Sequence, residues 1–210
     1  MSLIHINKLT AAPFVYCILR YSYFATHVVW QVHEFSFQNT VLAVPLLFIT
    51  YDLFYTILHG ALHIKGIYGY IHKQHHHQKA PSRGNIDAVN VHPIEYFLGE
   101  FNHLLALHLV ATYFVQVHIA AVAVFLGLGG YLAGLNHTRY DIVLFGGIYD
   151  SKAHDVHHRI PQSNYGQYTM FWDKLFGFYR PYNAGDRINP SAQLNLATGK
   201  SLSYEEKKAK

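Results

Sequence analysis

A single cysteine, Cys17, among 210 residues rules out an intramolecular disulfide and removes thiolate from any metal-ligand set. Charge is scarce too: Asp, Glu, Lys and Arg make up 13% of the chain, against 51% hydrophobic residues. That balance is poor for a free-standing soluble protein and ordinary for a membrane protein with polar loops. The formal charge of +4 is spread over loops and tail rather than gathered into a stripe. With no nucleic-acid motif beside it, nucleic acid is set aside as a partner, and contact with a membrane surface accounts for the basic excess more simply. No basic stretch followed by an apolar run and a small-residue cleavage site is evident at the start, so no removed signal peptide is expected. The length suits one domain with a substantial core.

What the chain has in abundance is histidine, 17 residues in all. Six of the nineteen residues from His59 to His77 are histidine. His59 and His63, spaced i, i+4, project from one face of a helix a single turn apart. His72, His75 and His76 repeat the device at i, i+3, i+4, so that one helix face can present three nitrogen ligands. The same HxxHH spacing returns at His154, His157 and His158. Imidazole at this density suits iron, zinc, copper or nickel rather than calcium or magnesium. One such triplet alone is as readily a packed or surface tract; two triplets and an HxxxH pair make a metal site the stronger reading. His77 looks supernumerary. His5, His27, His33, His103, His108 and His118 fall at no ligand spacing and read as structural or interfacial.

The apolar runs place these clusters. Leu9 to Val32 is interrupted by Pro13, Arg20 and Gln31, and either crosses a membrane or lies in its interface. The run from Thr40 to Leu58, about 19 residues, matches a bilayer core, and the ionisable Asp52 inside it is costly there. Two helical turns before His59, Asp52 is either a polar anchor beneath the metal site or a carboxylate that caps or pairs elsewhere. Between Ile64 and His92 stand Lys65, Lys73, Lys79 and Arg83 against Asp87, which the positive-inside rule puts in the cytoplasm. His92-Pro93-Ile94-Glu95 opens a new helix, where Glu95 either favours the N-terminus or orients a ligand histidine. Tyr96 to Leu135 is long enough for two crossings of about 20 residues each, with the turn near Gln116 to His118. Tyr168, Phe171, Trp172, Phe176, Phe178 and Tyr179 form an interfacial or core-packing face.

Four membrane segments chosen by hydropathy bring His92, His137 and His154 out on the face that carries His59 to His76. The expected fold is therefore all-α: an integral membrane helical bundle of about four segments over residues 1–182, with a cytosolic helical cap holding a histidine-rich two-metal site. A polar tail follows over 183–210. Its lysines at 207 and 208 resemble a dilysine retrieval signal of endoplasmic reticulum membrane proteins, which places the protein in that membrane with tail and histidine clusters cytosolic.

From Asp52 to Pro181 the chain resembles the fatty acid hydroxylase superfamily, membrane di-iron oxygenases that include C-4 methylsterol oxidases, sterol C-5 desaturases and fatty acid 2-hydroxylases. The resemblance is carried by His59 and His63, YIHKQHH at Tyr70 to His76, Ala80-Pro81, HPIE at His92 to Glu95, NHTRYD at Asn136 to Asp141, HDVHH at His154 to His158, and the NYG and WDKLFG stretches. It implies metal ligation by His59, His63, His72, His75, His76, His154, His157 and His158, joined by His137 and His92, with positions left open for dioxygen. It implies two iron ions, O2 as co-substrate, a lipid substrate drawn from the bilayer, and electrons from cytochrome b5 and an NAD(P)H-dependent reductase. Asp155 and Glu95 are candidates for fixing histidine tautomers, Asp155 being equally readable as a solvated helix residue. Arg139 departs from the glycine common at that place in the sterol oxidases, which bears on the substrate. Hydroxylation and desaturation are both open, and the reading from another class is a non-catalytic protein that holds or transports zinc. Against transport, nearly all the histidines fall outside the apolar runs rather than near a midplane.

Overall fold

In the computed structural model, residues 3–182 are described, with the backbone of 194–195 and 200–201. Nine helices follow one another there: α1 Leu3–Phe24, α2 Ala43–Leu62, α3 Lys65–Tyr68, α4 Lys73–His76, α5 Asn85–Ala88, α6 Pro93–Tyr113, α7 Ile119–Asn136, α8 Ser151–Arg159 and α9 Phe171–Phe176. The four long ones arise from the apolar runs. A π-turn, Phe37–Leu42, leads into α2 and is capped reciprocally by Ser36 and Asn39. The dilysine tail lies outside the described residues.

Among the described residues, two helical stretches are both long and apolar enough to cross a membrane, Phe37–Leu62 and Ile119–Asn136. About four were expected. Helices α1 and α6 match them in length, with 22 and 21 residues, but polar side chains dilute them. Asn7, Lys8 and Arg20 lie in α1, and Glu95, Glu100, Asn102 and His103 in α6. Much of that polarity points inward: Asn7, Glu95, Asn102 and His103 are buried.

The core runs between α2, α6 and α7, where Leu47, Leu107, Val110, Ala121 and Phe125 are fully enclosed. Phe48 meets the edges of Phe125 and Tyr168 at 5.0 and 4.9 Å, the edge-to-face arrangement that aromatic quadrupoles favour. Helices α6 and α7 are divided at residues 114–118, where the turn was expected, and His118 caps α7 by accepting from the Ala120 amide at 3.1 Å.

The described residues are mostly helical, as expected, with three two-residue strand pairs besides. Val28–Val29 pairs in parallel with Val117–His118, and Val143–Leu144 pairs antiparallel with Tyr149–Asp150. A third two-residue pair joins Leu194–Asn195 to Lys200–Ser201. The run Leu9 to Val32 accordingly breaks at Phe24, because unbroken hydrophobicity does not distinguish a helix from the strand after it. The first pair ties the α1–α2 connection to the α6–α7 turn. At the opposite end of the bundle, α2 arrives with its C-terminus, α6 departs from its N-terminus and α7 returns with its C-terminus. The histidines collect there.

Candidate metal centre

Nine histidines form two groups, within each of which the potential ligand atoms lie within 4.8 Å of one another: His59, His63, His72, His76 and His157, and His75, His137, His154 and His158. All but His63 are buried. His59 comes from the last turn of α2, His63 from its C-cap, His72 from the N-cap of α4 and His137 from the C-cap of α7. The described structure does not bring His92 to either group. Its ring is the N-cap of α6, accepting from the Ile94 amide at 3.2 Å.

Each HxxHH triplet is split rather than shared. His72 and His76 join the first group while His75 joins the second; His154 and His158 join the second while His157 joins the first. The three nitrogen ligands that one helix presents therefore serve two groups. At about 100° per residue, i+4 lies about 40° to one side of i and i+3 about 60° to the other. The i and i+4 rings converge, and the i+3 ring diverges toward the neighbouring centre. Two short helices thus exchange one ring each.

The ring nitrogens face one another. In the first group Nε2 of His72 is 3.0 Å from Nε2 of both His59 and His76, and His157 Nε2 is 3.1 Å from His76 Nε2. In the second, His154 Nε2 lies 3.2 Å from His137 Nε2 and 3.0 Å from His158 Nε2. The opposite nitrogens explain the charge. His59 Nδ1 donates to Tyr165 O at 2.8 Å, His157 Nδ1 to Ser163 O at 2.7 Å and His137 Nδ1 to Ala133 O at 2.8 Å. His72 Nδ1 faces Glu95 Oε1 at 2.9 Å. A neutral imidazole carries one proton, so these four rings present bare Nε2 lone pairs. Where two such lone pairs meet, as in His59 and His72 at 3.0 Å, they repel unless a cation lies between them. Two groups of ring nitrogens brought this close fit a pair of metal ions.

Burial keeps the rings neutral. Desolvation pushes His63 down to about 3, and His76 and His137 down to about 4. It lowers His75, His154, His157 and His158 well below the ordinary imidazole range, with repulsion between neighbouring rings adding to it. Neutral imidazole is the form that binds metal.

A second layer holds the rings. Asp52, inside the apolar run, accepts from the backbone amides of Gln167, Tyr168 and Thr169 at 3.1, 3.0 and 2.6 Å. Asp173 accepts from Tyr165 and Gly166 amides at 2.6 and 2.9 Å. The segment whose Tyr165 carbonyl orients His59 is thus clamped by two carboxylates, Asp52 reaching it from α2. A Cβ on Gly166 would lie 2.7 Å from Asp173 Oδ2, so the NYG glycine permits the close approach. The orienting carbonyls of Ala133, Ser163 and Tyr165 escape sequence reasoning, since every residue carries a carbonyl. Asp155 orients no histidine: it pairs with Arg139 at 2.6 Å and Arg159 at 3.3 Å. The arginine that replaces a glycine thereby has a partner. His77 is exposed and outside both groups.

A cavity of about 180 Å³ opens onto the second group, lined by His75, His137 and His154 and, from α2 and α6, by Tyr55, Glu95 and Glu100 among others.

The sequence pattern of the fatty acid hydroxylase family matches residues 44–178. Among curated proteins, the chain is 29% identical over 143 residues to a Delta(7)-sterol-C5(6)-desaturase of Nicotiana tabacum, covering 66% of this chain and 49% of that protein. It is 33% identical over 140 residues to methylsterol monooxygenase 1 of Rattus norvegicus (63% and 45%). It is 28% identical over 176 residues to lathosterol oxidase of Homo sapiens (80% and 55%). The chain spans about half the length of these relatives. No solved structure matches it significantly.

Proposed function

The chain belongs to the fatty acid hydroxylase family, and from that premise we propose that it is a membrane-bound di-iron oxygenase that hydroxylates or desaturates a lipid, sterol-like or fatty-acyl. The observation that carries the reading is the convergence of ring Nε2 atoms at 3.0–3.2 Å in two adjoining buried groups. Groups of five and four imidazoles with no thiolate among them suit iron. Bound there, two irons would supply, with O2, the oxidising power that an unactivated C–H bond requires.

The chain's own residues do the rest. Tyr165, Ser163, Ala133 and Glu95 hold Nδ1 protons so that Nε2 points inward. Asp52 and Asp173 keep the Tyr165 segment from yielding. The cavity between α2, α6 and α7 admits one end of a lipid, which would displace water from beside the metals. Lys65, Lys73, Lys79 and Arg83 beside the histidines support a cytosolic orientation, where cytochrome b5 and an NAD(P)H reductase would deliver electrons; the endoplasmic reticulum is the proposed membrane.

The test is iron and zinc content of the detergent-purified protein, followed by dithionite reduction and exposure to oxygen under optical and Mössbauer observation. About two irons per chain with an oxygen-reactive reduced state are expected, on the two groups of ring nitrogens. Tightly held zinc, with no oxygen reaction after reconstitution with iron, would assign the site to zinc storage or transport.

A further inference from the structure

Glu100 is an acidic side chain that the metal centre does not use. It lies on α6 about 7.5 Å along the axis beyond Glu95, at 1.5 Å rise per residue, half-buried and lining the same cavity as His75, His137 and His154. An acid within an apolar bundle is costly and is retained where it has a partner. Among the described residues no basic side chain forms an ion pair with it. The Tyr96 hydroxyl, one turn earlier, is within its reach.

The other polar groups around it are engaged elsewhere. His103 Nδ1 donates to the Glu100 carbonyl at 3.1 Å, and its Nε2 accepts from the Tyr168 hydroxyl at 3.1 Å. Tyr51 directs its hydroxyl to Gly99 O at 3.4 Å. Two carboxyl oxygens facing one hydroxyl keep acceptor capacity unfilled, and leaving it so when a lipid displaces water from the cavity is unfavourable. The cavity, about 180 Å³, is smaller than the roughly 300–1,000 Å³ of pockets that enclose a whole ligand. It takes one end of a lipid. A wholly apolar end would strand Glu100; an end that donates a hydrogen bond would satisfy it.

We propose that Glu100 determines substrate specificity by accepting a hydrogen bond from a hydroxyl or amino group on the end of the lipid that enters the cavity, so setting which carbon faces His75, His137 and His154. The word substrate rests on the oxygenase reading above; the binding itself does not. The probes are 1-dodecanol, dodecylamine and 1-methoxydodecane, the last lacking only the donor. They are titrated into the full-length protein in lipid nanodiscs, with thermal shift and displacement of a fluorescent fatty alcohol as readouts.

The alcohol and amine should bind about ten-fold tighter than the ether, the scale of one buried hydrogen bond left unmade. Glu100→Leu should erase the preference and Glu100→Gln, whose amide oxygen still accepts, should keep part of it. Equal binding of alcohol and ether by the wild type overturns the proposal whatever the variants do, so a Glu100→Leu protein that fails to fold does not shelter it. An undiminished preference in folded Glu100→Leu overturns it as well. So does uniform loss of turnover on every lipid with the binding preference intact, which would make Glu100 a proton carrier. Because binding is read without turnover, a chain that fails the iron and oxygen test yet shows the Glu100-dependent preference loses the oxygenase reading and keeps the anchor.

Discussion

Glu95 Oε1 stands 2.9 Å from His72 Nδ1, so a carboxylate in the first turn of α6 fixes the tautomer of a ring at the start of α4. Removing such a partner of a ligand histidine typically weakens metal binding about 10–100-fold. Glu95→Ala should therefore lose metal to a chelator at concentrations the wild type resists. Glu95→Gln, which still accepts a hydrogen bond, should fall between. Competition with a graded chelator series, read by metal retained per chain, decides it; indistinguishable retention in all three would show that His72 is oriented by something else.

Asp52 and Thr169 illustrate a longer reach. The carboxylate crosses from α2 to three consecutive amides, the shortest bond being 2.6 Å to Thr169 N. Stripping a buried charged acceptor from several donors ranks among the larger single-site losses, about 3 kcal/mol or more. Asp52→Ala is expected to lower the melting temperature of the metal-free protein and also to impair metal loading, because the displaced segment carries the Tyr165 carbonyl that orients His59. Asp155→Ala should leave metal content nearly intact, since its partners are Arg139 and Arg159. Equal metal loss in both variants would overturn the distinction.

Much of the site was legible because ligand spacing is a local property. His59 with His63, and both HxxHH triplets, are recognisable from helical periodicity alone. Their sorting was not, since which ring crosses to the neighbouring centre depends on how α4 and α8 face each other. His92 precedes a helix-opening proline, where a side-chain acceptor serves as a cap, and its ring does that in the described structure. Asp155 sits within a histidine triplet, yet its strongest partner, Arg139, lies 16 residues away. In the fold, hydropathy located α2 and α7. Helices α1 and α6 are long enough but less apolar: Asn7, Glu95, Asn102 and His103 are buried, while Lys8 and Arg20 of α1 are exposed.

Acid should destabilise the metal-free protein. His63 is held down at about 3, and His76 and His137 at about 4, by burial, whereas the unfolded chain titrates near the ordinary value of about 6.5. Between about pH 6.5 and pH 4 the unfolded state binds protons that the folded state refuses. Stability is therefore fully present above about pH 6.5 and declines as pH falls through that window. Melting temperatures of chelator-treated protein in one detergent at pH 7.5, 5.5 and 4.5 should fall in that order. A flat profile would mean that the rings are wetter than their burial indicates.

His75 and His76 are neighbours in the chain and belong to different groups, which allows the two centres to be emptied separately. His76→Ala removes one of five rings from the first group, and four remain to hold a metal. His75→Ala removes one of four from the second, leaving three. The smaller group has less to spare, so His75→Ala should lose about one metal of two at a chelator strength that leaves His76→Ala mostly loaded. His77→Ala, at an exposed position in neither group, should match the wild type. Metal per chain measured across one chelator titration compares all three directly. Should His76→Ala empty first, the five-membered group would be the weaker centre, and the count of rings would not set affinity here. Should both variants lose both metals together, the centres would be coupled through the exchanged rings, with neither able to stand when α4 and α8 are no longer joined through the other.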